Sequence, residues 1–459
     1  MASLGVRGLM GGAVVLAAGS LLLWPPAGLT PAVARAAALA VFSIGLWATA
    51  AVPEHVTTLA FFVIAMVVGA APPAVVFSGF ASGALWLIFG GLVLGVAMRH
   101  TGLGERLARG LGSAFPGSYP GLVGGVILVG VALSFVMPSS AGRAVLLIPV
   151  VVALAEGAGL RPGSSGHTGV LLAAALGNFV PSSAVLPANL PNMVLAGAAE
   201  TQYGVTLTYG AYLLLHFPVL GLLKALAIFA LVLVLFPARL GGRQAAASAS
   251  GPLSRAEWEL AAVMALALAL WTTDALHHVS PAWVTLAAAV WCLRPGTPLV
   301  PARAFNEQVG FATVFFVAGI LGLAGVVAHS GLGGMLAQRL ASDLGLAPGA
   351  AVHNFASLAA LSTLIGTVTT LPGAPGVLTP VAGALAGASG LPVETVLMSQ
   401  VLGFSTVLLP YQAPPLVLAL HLSGAPYRGA VVLCLALAAV TALLLLPLDF
   451  LWWRLLGRI

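Results

Sequence analysis

Two distant stretches of the chain read almost alike: HTGLGERLARGL at His100–Leu111 and HSGLGGMLAQRL at His329–Leu340. Three more pairs surround them. WATAAVPEHVT (Trp47–Thr57) matches WTTDALHHVS (Trp271–Ser280) with one gap. PVVVALAEGAGL (Pro149–Leu160) matches PVAGALAGASGL (Pro380–Leu391), and LPANLPNMVL (Leu186–Leu195) matches LPYQAPPLVL (Leu409–Leu418). The pairs occur in the same order in both halves. Chance similarity among Ala/Leu/Gly-rich helices explains one such pair easily and an ordered set poorly, so the chain reads as an internal duplication.

Composition says what solvates it. Of 459 residues, 60% are hydrophobic and 6% charged, with a mean hydropathy of +1.10. Soluble domains carry about 25% charged residues, so a soluble enzyme, a nucleic-acid binder and a disordered chain are excluded. The net charge of +6 comes from scattered bases without a basic run, which implies no nucleic-acid partner. The solvent is the lipid bilayer. In lipid each backbone polar group needs an internal partner, and apolar runs of about 17–25 residues have helix length, not barrel-strand length. The expected fold is an all-α polytopic membrane protein. Cys292 and Cys434 lie in apolar runs and read as buried small hydrophobes.

About eleven spans are expected, near 8–24, 33–51, 57–71, 84–98, 169–200, 210–236, 257–273, 281–295, 310–328, 393–420 and 428–453. Two interrupted segments, 119–160 and 348–390, read as re-entrant hairpins. Residues 1–30 form an extra N-terminal helix and 31–237 the first repeat, with broken helix 169–200. Residues 238–256 form a cytoplasmic linker, and 257–459 the second repeat, with broken helix 393–420. With the N-terminus inside, Arg7, Arg99, Arg106, Arg109, Arg161, Arg239, Arg243, Arg255, Arg294, Arg303 and Arg428 are cytoplasmic. Only Arg35, Arg339, Arg454 and Arg458 are outside, as the positive-inside rule requires. Lys224 and Arg143 stay in the membrane. Five spans per repeat is an odd number, so the copies are expected to be inverted, a recurring plan of secondary transporters with the site at the repeat interface.

The site is expected where helices break inside the membrane. Such breaks recur at FVMPSSAGRA (Phe135–Ala144) and TVTTLPGAPG (Thr367–Gly376) in the hairpins. They recur again at LPANLPN (Leu186–Asn192) and LPYQAPP (Leu409–Pro415) in the long helices. Freed amides at a helix N-terminus suit an anion, and freed carbonyls suit a cation. Ser139, Ser140, Thr369 and Thr370 supply hydroxyls. Asn189 and Gln412, at equivalent repeat positions, supply amides. Arg143 is an intramembrane charge, functional by default. It is expected either to contact a substrate anion or to supply a coupling cation's charge, with a snorkelling or helix-capping role as the bland alternative. Glu54 and Asp274 read as interfacial, and His216 and His353 as packing or polar contacts. No acid is placed in the membrane near the breaks, which argues against a cation or proton antiporter. No catalytic or metal constellation is found, so the expectation is not an enzyme and no metal.

The order of long helix, hairpin, broken helix and GLxxxLA block, over about residues 36–453, resembles the divalent anion:sodium symporter family of dicarboxylate, citrate and sulfate carriers. That family carries a Ser-Asn-Thr motif at each hairpin tip. Counting back from Pro149 aligns Ser139-Ser140-Ala141 with the first, and counting back from Pro380 aligns Thr370-Leu371-Pro372 with the second. Neither tip here has the Asn. LPNMV (Leu190–Val194) and APPLV (Ala413–Val417) match the family's Pro-Pro-Asn-type breaks, with Leu416 where Asn192 has its counterpart. The resemblance implies substrate contacts from these loops, adding Ala141, Pro191, Gly373, Ala413 and Pro414 to the residues above. It implies sodium as coupling ion, held by Ser139, Ser140, Asn192, Thr370 and Gln412. It also implies an elevator-type homodimer carrying a small divalent anion, a di- or tricarboxylate or sulfate, across a bacterial inner membrane. An anion channel, or a cation/proton antiporter on a related fold, remains the alternative.

Overall fold

A run of apolar residues in lipid becomes a helix because only the helix pairs its own amides and carbonyls. A computed structural model describes residues 2–106, 117–240, 252–296 and 299–459. Among them there is helix and no strand. Arg109, Arg243, the end of the first GLxxxLA block and residues 241–251 of the linker lie outside the described residues.

Among the described residues, eight helices are long and apolar enough to cross a membrane. Five coincide with expected spans: Pro31–Thr49, Gly83–Thr101, Tyr209–Leu235, Phe311–His329 and Tyr427–Leu455. The other three are hairpin arms: Tyr119–Val136, Ser140–Gly157 and Ala351–Thr369. The count therefore falls short of eleven. Arg7–Leu23, Glu54–Val67 and Pro281–Cys292 are apolar but short. Arg255–Thr272 carries Arg255, Glu257 and Glu259 in its first turns. The two long helices are each divided. In the first, Pro181 and Pro187 lack a donor N–H, and two 3₁₀ turns separate Ser165–Phe179 from Leu190–Tyr203. In the second, Pro410–Gln412 separates Val393–Phe404 from Pro414–Ser423.

The order of elements is the same in both halves. Each has a hairpin (Tyr119–Val136 with Ser140–Gly157, then Ala351–Thr369 with Gly373–Ser389), a divided helix and a long final helix. The final helices share a local irregularity: π turns at Phe217–Leu223 and at Thr441–Leu445.

Apolar packing collects the helices into three cores. One holds both hairpins, most of the divided helices and the final helices. A second joins Pro31–Thr49, Glu54–Val67 and Phe311–His329. A third joins part of Gly83–Thr101 with Arg255–Thr272 and Pro281–Cys292. In each half the first hairpin arm meets the divided helix at a small residue. A Cβ on Gly130 would stand 2.9–3.0 Å from backbone atoms of Gly177 and Asn178. A Cβ on Gly403 would meet Ser362, including its backbone, at 2.2–2.5 Å. Small residues let membrane helices approach this closely.

Polar contacts tie residues expected on one membrane side to each other. Arg106 forms a bidentate pair with Glu257 (2.6 and 3.1 Å), whose carboxylate also caps Ser254. Arg294 pairs with Glu259 at 2.6 Å.

Gly130→Val and Gly403→Val are each expected to cost about 1–3 kcal/mol by overpacking, read as a lower unfolding midpoint in detergent. Gly387→Ala, where a Cβ meets nothing within 4 Å, is the control and should not lower it.

Candidate functional site

The four breaks meet. Pro138, Ser139, Ser140 and Ala141 of the first tip, and Thr370 and Pro372 of the second, line one cavity of about 270 Å³. Asn189, Leu190 and Pro191 of the first break and Pro414 and Pro415 of the second complete that rim. Ile88, Leu92, Thr313, Phe316 and Glu54 face them from the other cores. The cavity thus lies between the hairpin core and the second core. Its wall is mostly apolar, with hydroxyls, one amide and the Glu54 carboxylate, and no basic side chain.

Helix N-termini supply the positive character instead. Ser139 caps the helix Ser140–Gly157, its hydroxyl accepting from the Gly142 amide at 3.1 Å. Asn189 precedes Leu190–Tyr203 and Ala413 precedes Pro414–Ser423. Neither side chain caps its helix, but Pro191, Pro414 and Pro415 carry no N–H and the Leu416 amide already donates to the Ala413 carbonyl at 2.9 Å, so the second break offers no free first-turn amide. Asn189 is buried, and both its side-chain polar atoms lack a partner. A buried amide with nothing to bond is expensive unless a ligand supplies the partner.

Arg143 is fully buried and does not line the cavity. A guanidinium has five N–H donors, and each has an oxygen of this chain. Nε donates to Asn178 Oδ1 at 2.7 Å. Nη1 donates to the carbonyls of Met137 (2.5 Å) and Ala188 (3.1 Å). Nη2 donates to Ser140 Oγ (3.3 Å) and to the Asn178 carbonyl (3.1 Å). Asn178 Nδ2 donates to the Ser140 carbonyl at 3.1 Å, and Ser140 Oγ donates to the Ala188 carbonyl at 3.0 Å. The guanidinium therefore binds the first tip to the first break and leaves no donor for a substrate. Among the described residues it has no ion pair, so its charge stands behind Ser140 without a carboxylate beside it. Arg99, read as a cytoplasmic charge, reaches the same tip: Nη1 lies 3.2 Å from where a Cβ on Gly142 would stand.

The second tip is bound to its break without a cation at the joint. The Leu371 amide donates to the Gln412 carbonyl at 2.9 Å. Gln412 Oε1 accepts from the Leu408 and Leu409 amides, both at 2.7 Å, and Nε2 donates to Thr367 Oγ1 at 3.1 Å. Gln412 is fully buried and, with Ala413, lies behind the cavity wall. Thr369 Oγ1 donates to the carbonyls of Ile365 (2.8 Å) and Thr370 (3.1 Å). Thr369 and Gly373 face a smaller recess against Ile44, Trp47 and Phe316. Asn192 points into its own break, Nδ2 donating to the Val185 carbonyl at 2.9 Å, with Oδ1 free.

The expected residues thus divide. Ser139, Ser140, Ala141, Asn189, Pro191, Thr370 and Pro414 share the cavity. Arg143, Asn192, Thr369, Gly373, Gln412 and Ala413 do not line it. Sequence reasoning did not single out Asn178, Thr367 or Arg99, whose roles depend on contacts tens of residues away. It placed Glu54 at an interface, and Glu54 is on the cavity wall. It also found no membrane acid near the breaks. Asp449, in the final helix, is fully buried.

Known proteins resemble this chain in sequence and in fold. Residues 10–459 match the family described as the sodium:sulfate symporter transmembrane region. The chain belongs to that family. A membrane protein of Cupriavidus necator is 27% identical over 419 residues, covering 85% of this chain and 81% of the relative. The L-tartrate/succinate antiporter of Escherichia coli K12 is 28% identical over 206 residues, 42% of each chain. In fold, the Alcanivorax borkumensis YdaH transporter superposes with a TM-score of 0.55 at 18% identity, covering 83% of this chain and 87% of that one. The protein is a multi-span membrane transporter of an anion-carrying family, not an enzyme.

The family description includes sodium, and the first tip does not fit it. The oxygens that would face a cation there are Met137 O, Ala188 O, Asn178 O, Asn178 Oδ1 and Ser140 Oγ, and all five already accept from Arg143.

Thr370 has φ +72 and ψ 160, a region almost confined to glycine. Thr370→Gly is expected to raise the unfolding midpoint, relieving about 1 kcal/mol of strain, and to slow transport, because a cavity hydroxyl is lost. An unchanged or lower midpoint counts against strain at this tip.

Proposed function

We propose that the protein is a secondary active transporter of small divalent anions, a di- or tricarboxylate or sulfate, working by alternating access in the cell membrane. The observation that carries this is the cavity. The N-termini of the helices that start at the first tip and the first break open on it, Asn189 waits on it unpartnered, and the buried charge of Arg143 lies one hydroxyl behind it. At about 270 Å³ it is slightly smaller than the ~300–1,000 Å³ of pockets for drug-sized ligands, which favours a molecule of a few carbons. Relatives named for sulfate and for tartrate and succinate support the same class.

Arg143 is a resident positive charge of the first half, held where a coupling cation would otherwise meet five oxygens. Substrate contacts fall to Ser139, Ser140, Ala141, Asn189, Pro191, Thr370 and Pro414, with Arg143, Thr369, Gly373, Gln412 and Ala413 supporting them. Sodium, where it acts, is left Asn192 Oδ1, Thr370 and the second tip. The matching order of elements supports two repeats, 31–237 and 257–459, and the opposite ends on which their hairpins are expected support inversion. The cavity between two separate apolar cores supports an elevator, with the hairpin core moving past the other two. The homodimer follows from the family resemblance. The cytoplasmic N-terminus follows from the arginine distribution.

Counterflow in proteoliposomes tests the reading. Vesicles preloaded with succinate, tartrate, citrate or sulfate should take up the labelled dianion faster than empty ones. No exchange of any of these, with or without sodium, would defeat the proposal. Arg143→Ser should slow sodium-free exchange about tenfold or more, since even one charge-assisted hydrogen bond contributes about 1.5–3 kcal/mol. Sodium should restore part of the loss. Unchanged exchange in this variant would sink the role given to Arg143.

A further inference from the structure

A second buried cation lies far from Arg143, and it has a carboxylate. Lys224 and Asp449 are both fully buried. Each follows a π turn in the final helix of its half: Phe217–Leu223 before Lys224, and Thr441–Leu445 shortly before Asp449. Such turns are frequent at functional sites. The two groups are within electrostatic reach but form no ion pair at contact distance among the described residues. Lys224 Nζ instead donates to the Ser405 carbonyl (2.9 Å), Ser405 Oγ (3.0 Å) and Thr406 Oγ1 (3.5 Å). Neither Asp449 oxygen makes a hydrogen bond of good geometry, and the Trp453 indole N–H one turn on is the donor near enough to interact. A carboxylate left this way in the interior is costly while ionised, and one proton removes the cost.

Two further observations give the carboxyl a connection on each side. Trp453, one turn further along, packs against His216 with ring centroids 5.7 Å apart. It also borders a cavity of about 50 Å³ that reaches Tyr212 and Leu215 and extends to Glu394 and Arg458. That volume has room for a few waters, at roughly 10–15 Å³ each. Glu394 and Arg458, paired at 3.4 Å, are partly exposed, so the cavity leads from an aqueous face toward Trp453. On the other side, the residues that Lys224 holds begin the second break, which Gln412 joins to Thr367 and Leu371 of the second tip.

We infer that Asp449, with Lys224 within electrostatic reach, is a proton-binding site coupled to the second hairpin tip, so that anion transport is driven by protons. This rests on the carrier reading above. When Asp449 takes a proton, the pair goes from neutral to singly positive and Lys224 loses its counter-charge. Its ammonium then depends wholly on Ser405 and Thr406, and so bears on the position of the second break. Other titratable or charged groups on the elements packed around Asp449 are His216 and Tyr212, about two and three turns before Lys224, His353 on the Ala351–Thr369 arm, and Arg454 on its own helix. His353 is exposed and bonded to the Leu344 carbonyl at 2.8 Å. His216 is buried with both ring nitrogens unpartnered.

The test uses the full-length protein in proteoliposomes with a pH dye inside. With acid outside, the wild type should accumulate succinate above its outside concentration and acidify the lumen. Asp449→Asn should accumulate no more than gradient-free controls. The inference is overturned if wild-type counterflow runs while accumulation ignores the pH gradient and the lumen stays constant. It is equally overturned if Asp449→Asn still accumulates substrate up the gradient. The wild-type dye reading decides the matter even if the variant does not fold. Absent wild-type counterflow would overturn the carrier reading itself, and this one with it.

Discussion

Five oxygens around one guanidinium set the terms for the rest of the molecule. A helix that stops inside a bilayer leaves bare carbonyls and amides, and lipid offers them nothing. At the first tip and first break the carbonyls of Met137, Asn178 and Ala188 converge, and Arg143 satisfies them all. Because it does so from behind, Arg143 fixes a charge on one side of the wall while Ser139, Ser140 and the unpartnered Asn189 amide line the cavity on the other.

The two halves solve one problem with different chemistry. In the first half a charged side chain joins tip and break. In the second, an amide side chain, Gln412, joins them, and the nearest buried cation, Lys224, comes from another helix and holds the far end of the break. The order of elements therefore matches between the halves while the side chains differ, and the difference falls on charge. A symmetric scaffold with asymmetric charge lets one tip be permanently fixed and the other respond to a second ligand.

How much of this was legible in the sequence follows from the range of the contacts. Breaks at Pro187, Pro191, Pro410 and Pro414 were readable because a missing N–H acts within its own turn. The common order of hairpin, divided helix and final helix was readable because whole blocks recur. Arg143 stood out as a lone charge between apolar runs, but its partners did not: Asn178 is 35 positions away and Ala188 offers only a carbonyl. Asp449 was passed over because LPLDFLWW lies near the end of a long apolar run, where one acid reads as interfacial. Only packing shows it beside Lys224. The span count ran high because apolar length was taken as helix length, whereas Arg7–Leu23, Glu54–Val67 and Pro281–Cys292 are short, Arg255–Thr272 opens on charges, and prolines divide the two long helices.

The cavity wall carries no basic residue, and that bears on selectivity. In the proposed site an anion held by field, hydroxyls and the Asn189 amide, and not gripped by a side-chain fork, is recognised by its charge and bulk and only loosely by the geometry of its oxygens. Carboxylate and sulfate differ mainly in that geometry. Discrimination among anions then passes to the apolar face, to Ile88, Leu92, Phe316 and Leu418. Such a site can change its cargo by altering the size of a few hydrophobic side chains, while the charges that make it an anion site stay untouched.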